Sequence, residues 1–559
     1  MSKWGKLILR VLHSYSIEEK VISVIVLGMV VFFGLQLTLD VFNGSPALAG
    51  DAYTEGLVSD KPALVNPLFV DFGEANRDLA SLVFSGLVKY DPSKKTFVDD
   101  MASLTLSDDH KTYRFILKSN LLWHDGPSVT ADDVYFTFHD LIQSPDFQNP
   151  VLKVNFEGVQ IKQVDQQTVD FQIQNPNAFF ITNFNIGILP KHILGNVKVA
   201  DLPMSSFNLK PIGSGPYKMD VPMQVFDDGR QLVNLAAFDH YYGQLPKIKH
   251  IRFTVYPDEA SLMKEKNGLN IISKVPPQSV TAFQQDQHFT LMPYSLLQYT
   301  AVFFNVDRPI IKNQKIRIGL LKTLNKDDLL KTLGDKIAVD TPLLELNQSD
   351  WIYKSNLTEA KGAFYDAGFK VDSKSADLLR RDSKGNILKL NLLVRAYEPG
   401  NPIAKELATV TDFLKKSWGD LGIQLDVQLA ETDDFNKRLQ ARDYDMLLTG
   451  QSLGYNLDTY SYWHSSQIGN DGLNLSNYKS FAADQLIEQI RNSFDSADKD
   501  QKLKDLAKVL ATDIPAVFLY RPQYYLASDN KIKNISLDSL AYPSDRFSGL
   551  PNWCASTCN

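Results

Sequence analysis

Few side chains in this sequence stand at spacings that could do covalent chemistry. His124 beside Asp125 could serve as a base, but Asp125-Gly126-Pro127 reads as a turn between a strand and a capped helix. Gly213-Ser214-Gly215 lacks the GxSxG spacing that lifts a serine onto a strained elbow, and no GxxxxGK[ST] phosphate loop occurs. Ser476 and Lys479 are formally SxxK, yet no KTG completes a penicillin-recognising site. The 9 histidines are scattered with no HExxH pair. The 2 cysteines, Cys554 and Cys558, both lie near the C-terminus, which excludes a cysteine-rich zinc or iron–sulfur framework. The absence of an assembled nucleophile motif argues against a hydrolase, although a dispersed triad on an exported hydrolase stays open as an alternative. A net charge of −7 over 559 residues argues against a nucleic-acid partner, which needs a basic surface to displace phosphate counterions. With 44% apolar and 22% charged residues the composition is that of a globular chain.

The elements that would position a binding site alternate between strand and helix patterns. Tyr113 to Lys118 and Ile251 to Val255 alternate in period two. Thr130 with Asp133 forms a capping box ahead of Val134, Phe138 and Leu141 at helical spacing. The clearest unit spans 388–449. Leu390 to Val394 is an apolar strand; Asn401 caps and Pro402 opens a helix whose face is Ile403, Leu407, Val410, Leu414 and Trp418. Ile423 to Leu429 alternates as a half-buried strand, Thr432 caps a short helix, and Tyr444 to Leu448 is the next strand. This β-α-β-α-β order predicts a doubly wound α/β lobe. The stretch 90–175 is richer in strands, so at least two dissimilar lobes with a cleft between them are expected. The loop Thr449 to Ser461 leaves the C-terminal end of a strand, where open α/β sheets bind ligands.

The N-terminus carries a separate signal. Val21 to Leu39 holds no charged residue and is long enough to cross the hydrocarbon layer as a helix. Lys3, Lys6, Arg10 and Lys20 precede it, so residues 1–20 are expected in the cytoplasm and the bulk of the chain outside. Ala47-Leu48-Ala49 resembles a cleavage site but stands well beyond the apolar run, and an uncleaved anchor is the favoured reading. Cys554 and Cys558 then fall in a disulfide-permissive compartment, as a small-loop disulfide or as two free thiols on the tail.

An ordered set of motifs resembles the extracellular solute-binding proteins of family 5, the oligopeptide-, dipeptide- and nickel-binding receptors of ABC importers. The stretch 113–138, YRFILKSNLLWHDGPSVTADDVYFTF, is similar to that family's signature. Ser85-Gly86-Leu87 with Tyr90-Asp91, Gly213 to Tyr217, Phe238 to Gly243 and Tyr256 to Ala260 resemble its earlier motifs. Phe304-Asn305 with Lys315 to Leu320, Gly362 to Phe369, Tyr462 to Ser466 and Asn474 to Tyr478 resemble its later ones. Together they run in order across about residues 53–525.

The resemblance implies a class II periplasmic-binding-protein-like α/β fold with three lobes, two α/β lobes joined by a hinge and an inserted α+β lobe, preceded by one transmembrane helix. It assigns 51–85, 206–297 and 516–559 to the first lobe and its tail, 86–205 to the inserted lobe and 298–515 to the third. The hinge crossings are expected near 296–301 and 512–520. It further implies a monomer with no cofactor and no enzymatic step, which takes a peptide or similar solute and hands it to an ABC permease. A surface scaffold or sensor uncoupled from uptake is the alternative. In peptide-binding relatives the loop corresponding to 449–461 carries a Trp and then an Asp that pairs with the peptide's ammonium; here those positions are Gln451 and Gly454, and the nearest acid is Asp458, a candidate substitute for that Asp if the loop runs differently, the alternatives being a non-peptide ligand or one held mainly through backbone hydrogen bonds. Gln451, Ser452 and Tyr455 are candidates for backbone contacts with an extended ligand. Arg395 is a candidate partner for a carboxylate or a solvent-facing charge, and Tyr299, near the first crossing, a candidate for packing on ligand or in the core.

Overall fold

The computed structural model describes residues 52–59, 61–371, 377–398, 400–470 and 472–555, which apart from Ala52 belong to the unit Tyr53–Asn559. Two large sheets organise it. One has eight strands: Thr290–Tyr294, Tyr524–Ser528, Ile271–Ile272, Ala52–Val58, His250–Tyr256, Gln231–Ala237 and Tyr217–Lys218 in that order, with Gln224–Val225 added beside Gln231–Ala237. The other has six: Lys336–Ala338, Ala516–Pro522, Gln298–Phe304, Met446–Ser452, Lys389–Arg395 and Gln424–Ala430. A four-stranded antiparallel sheet is built from 102–172, and a phenylalanine cluster packs on it, with ring centroids of Phe115 and Phe171 4.7 and 4.8 Å from that of Phe184.

The six-stranded sheet contains the doubly wound unit. Lys389–Arg395 pairs in parallel with both Gln424–Ala430 and Met446–Ser452. Asn401 caps the intervening helix Pro402–Gly419 by accepting from Ile403 N, and Pro402 sits in the first turn, where its missing N–H is no loss. Val410, Leu414 and Trp418 are buried on the sheet, and the Trp418 indole donates to Leu320 O at 3.0 Å. Ile403, counted on the same face, lies in the first turn and is 48% exposed. Thr432 does not cap the next helix, Thr432–Gln440. Glu431 holds the cap position without a side-chain bond, and the Thr432 hydroxyl accepts from Arg395 Nη2 at 3.1 Å.

The chain passes between the two large sheets twice. The first passage lies between Tyr294 and Gln298; the second is at Gln523. Residues 516–522, assigned from the sequence to the last segment of the first lobe, instead pair with Gln298–Phe304 and Lys336–Ala338 in the six-stranded sheet. The reason is burial: Ala516 to Tyr520 are buried without interruption, as a central strand demands.

The expected membrane span, 21–39, lies outside the described residues; among those described no helix is long and apolar enough to cross a membrane. Cys554, in the short strand Cys554–Ala555, is not a free thiol. Cys558 lies outside the described residues.

Candidate functional site

The loop that follows Met446–Ser452 is the meeting point of the two sheets. Within the six-stranded sheet Tyr299 stands opposite Gln451 in register, and its phenol donates to Gln451 Oε1. Tyr299 is 1% exposed, a core residue whose hydroxyl orients the Gln451 amide. Ser452 is exposed and helps line a cavity of about 380 Å3, together with Gln298 from the neighbouring strand. Across that cavity stand Arg77, Lys274 and Tyr524 of the eight-stranded body.

Gly454 has a φ of +55°, and a Cβ built there would lie 2.0 Å from the Tyr542 hydroxyl. Backbone conformation and space both demand glycine. Tyr542 therefore fills the volume that an aspartate side chain at this position would need. The Arg77 guanidinium lies 3.7 Å from the Tyr542 ring centroid and pairs with Asp71.

Tyr455 turns to the other side of the loop. Its ring packs 5.3 Å from Tyr90, 5.4 Å from Phe97 and 4.8 Å from Tyr542, and its hydroxyl donates to Asp545 Oδ1. Asp545 Oδ2 accepts from the backbone of Ala541 at 2.8 Å and Tyr542 at 2.9 Å. Burial outweighs these donors and pushes the Asp545 carboxyl up to about 6. Tyr455 closes one side of a second cavity of about 750 Å3, which extends between the hairpin Val88–Asp91/Thr96–Asp99 and the segment 536–552.

Asp458 and Arg395 are placed differently. Asp458 is 4% exposed; it receives Arg491 Nε at 2.8 Å and Tyr460 N at 3.0 Å. Burial raises its pKa while Arg491 pulls it down. It lines neither large cavity. Arg395 is exposed, bonded to Thr432, 5.1 Å from the Tyr397 ring centroid, and also lines neither. The structure thus brings Tyr299, Gln451, Ser452, Gly454 and Tyr455 together and leaves Arg395 and Asp458 off the two larger cavities, although Asp458 shares a much smaller one with Tyr299.

The opposing wall escaped the sequence reading. Arg77 is one charged residue on a half-buried helix, and Tyr542 and Asp545 reach the loop from about ninety positions away. Only the capping pair Tyr542/Asp545 at the start of the turn Pro543–Asn552 leaves a local trace. Behind that wall a guanidinium is buried. Arg546, 2% exposed, bonds Asp78 at 2.7 Å and also Glu55, which accepts from Tyr53 at 3.0 Å. Burial works against the Arg546 charge, but Asp78 and Glu55 hold its pKa above the ordinary value. Among the described residues no group of three or more His, Cys, Asp or Glu is arranged to hold a metal ion.

This architecture is shared with known proteins. Over 505 residues the chain is 26% identical to the oligopeptide-binding protein AppA of Bacillus subtilis, covering 88% of this chain and 89% of that one. It is 25% identical to the dipeptide-binding protein of Escherichia coli over 78% of this chain and 82% of the relative. Among solved structures, AppA from Bacillus subtilis in complex with a nonapeptide matches with a TM-score of 0.66 at 24% identity, over 90% of this chain and 99% of that one. NikZ from Campylobacter jejuni in complex with Ni(L-His) matches with a TM-score of 0.69 at 24% identity, over 91% and 100%. These relatives are solute-binding proteins, not enzymes. Residues 96–472 match the model of the bacterial extracellular solute-binding proteins, family 5 (middle region), and the chain belongs to that family.

Proposed function

We propose that the protein is the substrate-binding receptor of an ABC importer. It is anchored by the apolar segment 21–39 with its main body outside the cell, and captures peptides or similar solutes between two lobes by hinge closure before delivery to the permease. The observation that carries the reading is the Tyr455–Asp545 hydrogen bond with its surrounding aromatic cluster. It joins the ligand-facing loop of one sheet to the body built on the other, with a cavity on either side. Volumes of about 750 and 380 Å3 fall within the range of small-ligand sites, roughly 300–1,000 Å3. Two adjacent passages between the sheets supply a hinge.

Recognition in this reading differs from an aspartate-anchored peptide site. With Tyr542 in the place of an acidic side chain at Gly454, and Asp458 committed to Arg491, the loop contributes hydrogen bonds from Ser452, the Gln451 amide and backbone groups to an extended ligand. Titration with a mixed pool of short peptides, followed by intrinsic fluorescence, tests the function. Saturable quenching or enhancement without cleavage is expected. Hydrolysis of the peptides would contradict it, and no response to any peptide would favour an uncoupled surface scaffold. Membrane-bound protein that retains Met1 is expected for the anchor; a mature chain beginning at Gly50 would contradict it.

A further inference from the structure

A second contact between the two bodies lies away from both large cavities. The chain passes from one large sheet to the other between Tyr294 and Gln298 and again at Gln523. A rotation on those passages carries residues 298–522 against the rest, so a contact across that division is made on closing and lost on opening. The turn 177–179 makes such a contact. Asn177 builds it: its Oδ1 accepts from Phe179 N at 3.0 Å, and its carbonyl accepts from the Tyr113 hydroxyl at 2.8 Å, which fixes the turn to the four-stranded sheet. The two phenylalanines that follow face opposite ways. Phe180 packs 5.2 Å from Phe184, inside the aromatic cluster of its own sheet. Phe179, 7% exposed, is buried in a core of the six-stranded sheet that includes Leu447, Leu503 and Phe518. Among the described residues it is the one buried member of that core that precedes Tyr299.

Polar and aromatic contacts surround the inserted ring. Lys499 Nζ stands 5.2 Å from its centroid and 3.6 Å from Glu345. Ala178 N donates at 2.7 Å to Arg491 O, the final carbonyl of helix Phe481–Arg491, which no N–H of its own helix can reach. On the same junction the His110 ring stacks on Phe494 at 4.0 Å. None of His110, Ala178, Phe179 and Phe494 lines either large cavity. The contact nevertheless reaches the ligand-facing loop through one residue, since the Arg491 side chain holds Asp458.

We propose that Phe179 is a clasp of the closed receptor: it enters the six-stranded body only on closure, and so sets ligand affinity without touching ligand. The proposal rests on the receptor reading above and names a source of affinity outside the cavities. With the bodies apart the ring returns to water. Its burial then favours the closed state alone and tightens every ligand by the same factor. The test uses the full chain in detergent, titrated with a mixed pool of short peptides by intrinsic fluorescence and unfolded in urea without peptide. Phe179→Ala should bind about tenfold more weakly or worse, through faster release, since burying a phenylalanine ring is worth more than the increment one decade requires. Its urea midpoint without peptide should equal the parent's, because the open protein already exposes the ring. Phe179→Leu, which keeps an apolar side chain, should recover most of the affinity. Phe494→Ala, at a half-buried position, should weaken binding about twofold or more and gives a second reading that leaves Phe179 in place. Unchanged affinity in both alanine variants would overturn the clasp and leave the receptor reading intact. A lowered peptide-free midpoint in Phe179→Ala would also overturn it, by making Phe179 a permanent core residue. If the parent binds no peptide, the receptor reading fails by itself, and the peptide-free midpoints still decide the clasp: equal values support it and a lower one in Phe179→Ala overturns it.

Discussion

At the scale of single residues, the groups that look chemical in the sequence are structural. His124 Nδ1 accepts from Gly213 N at 3.2 Å, so Nε2 carries the proton and donates to Gly215 O at 3.0 Å. Burial, partly opposed by the Gly215 carbonyl, lowers its pKa to about 4. The unfolded chain therefore takes up a proton near pH 6.5 that the folded chain refuses until about 4, and stability falls as pH drops through that window, by up to about 3 kcal/mol. Asp545, with its carboxyl raised to about 6, has the opposite sign: it gains stability on acidification toward 3.8. The readout is thus a comparison. Urea unfolding at pH 7 and pH 4.5 should show a smaller acid loss in His124→Gln than in the parent, and an equal loss would contradict the account. Asp458 gives a second prediction. Because its carboxylate serves Arg491 and the turn at Tyr460, Asp458→Asn should weaken free and amino-acetylated peptides alike, within about twofold, and lower stability by about 1–3 kcal/mol. A loss confined to free peptides in binding titrations would restore Asp458 as an ammonium anchor. The unusual Gly454 was legible as a departure from the pattern of its relatives. Its cause was not, because Tyr542 is 88 positions away and no local periodicity links the two.

At the scale of elements, local rules were sufficient wherever capping and periodicity agreed. Asn401-Pro402, the face ending at Trp418 and the alternation from Ile423 place helix Pro402–Gly419 and strand Gln424–Ala430 to within a residue or two. Thr130 and Asp133 form the reciprocal capping box expected of them. Thr432 shows the limit: a good capping residue was drawn away by Arg395, a partner 37 positions earlier. The energetic weight of helix Pro402–Gly419 rests on its buried face. Trp418 is fully buried and hydrogen-bonded, so Trp418→Ala should cost about 3–5 kcal/mol, measured as a shift in urea midpoint at unchanged slope. Ile403→Ala, nearly half exposed in the helix's first turn, should change stability far less. Equal effects would contradict the packing described.

At the scale of the whole molecule, the sequence carried the family through an ordered series of weak motifs, spread over strands, turns and helices. It did not carry the second passage between the sheets. Ala516–Pro522 and Tyr524–Ser528 are separated by one residue, and an apolar run this continuous shows no boundary until the two strands are seen in different sheets. The four carboxylates that line the larger cavity were equally hidden as a group, since they come from two stretches far apart in the chain, Asp91 and Asp100 in one, Asp538 and Asp545 in the other. What the assembled fold adds is an arrangement that suits the proposed closure: a loop at the C-terminal end of a central strand, tied to the opposite body by Tyr455 and Asp545, beside two passages between the sheets. The central claim is that ligand binding and closure are one event. Small-angle X-ray scattering of the protein during titration with a short-peptide pool tests it most directly. The account predicts a saturable fall in radius of gyration that Tyr455→Phe, lacking the donor to Asp545, shifts to higher peptide concentration. An unchanged radius at concentrations where peptide is demonstrably bound would contradict it.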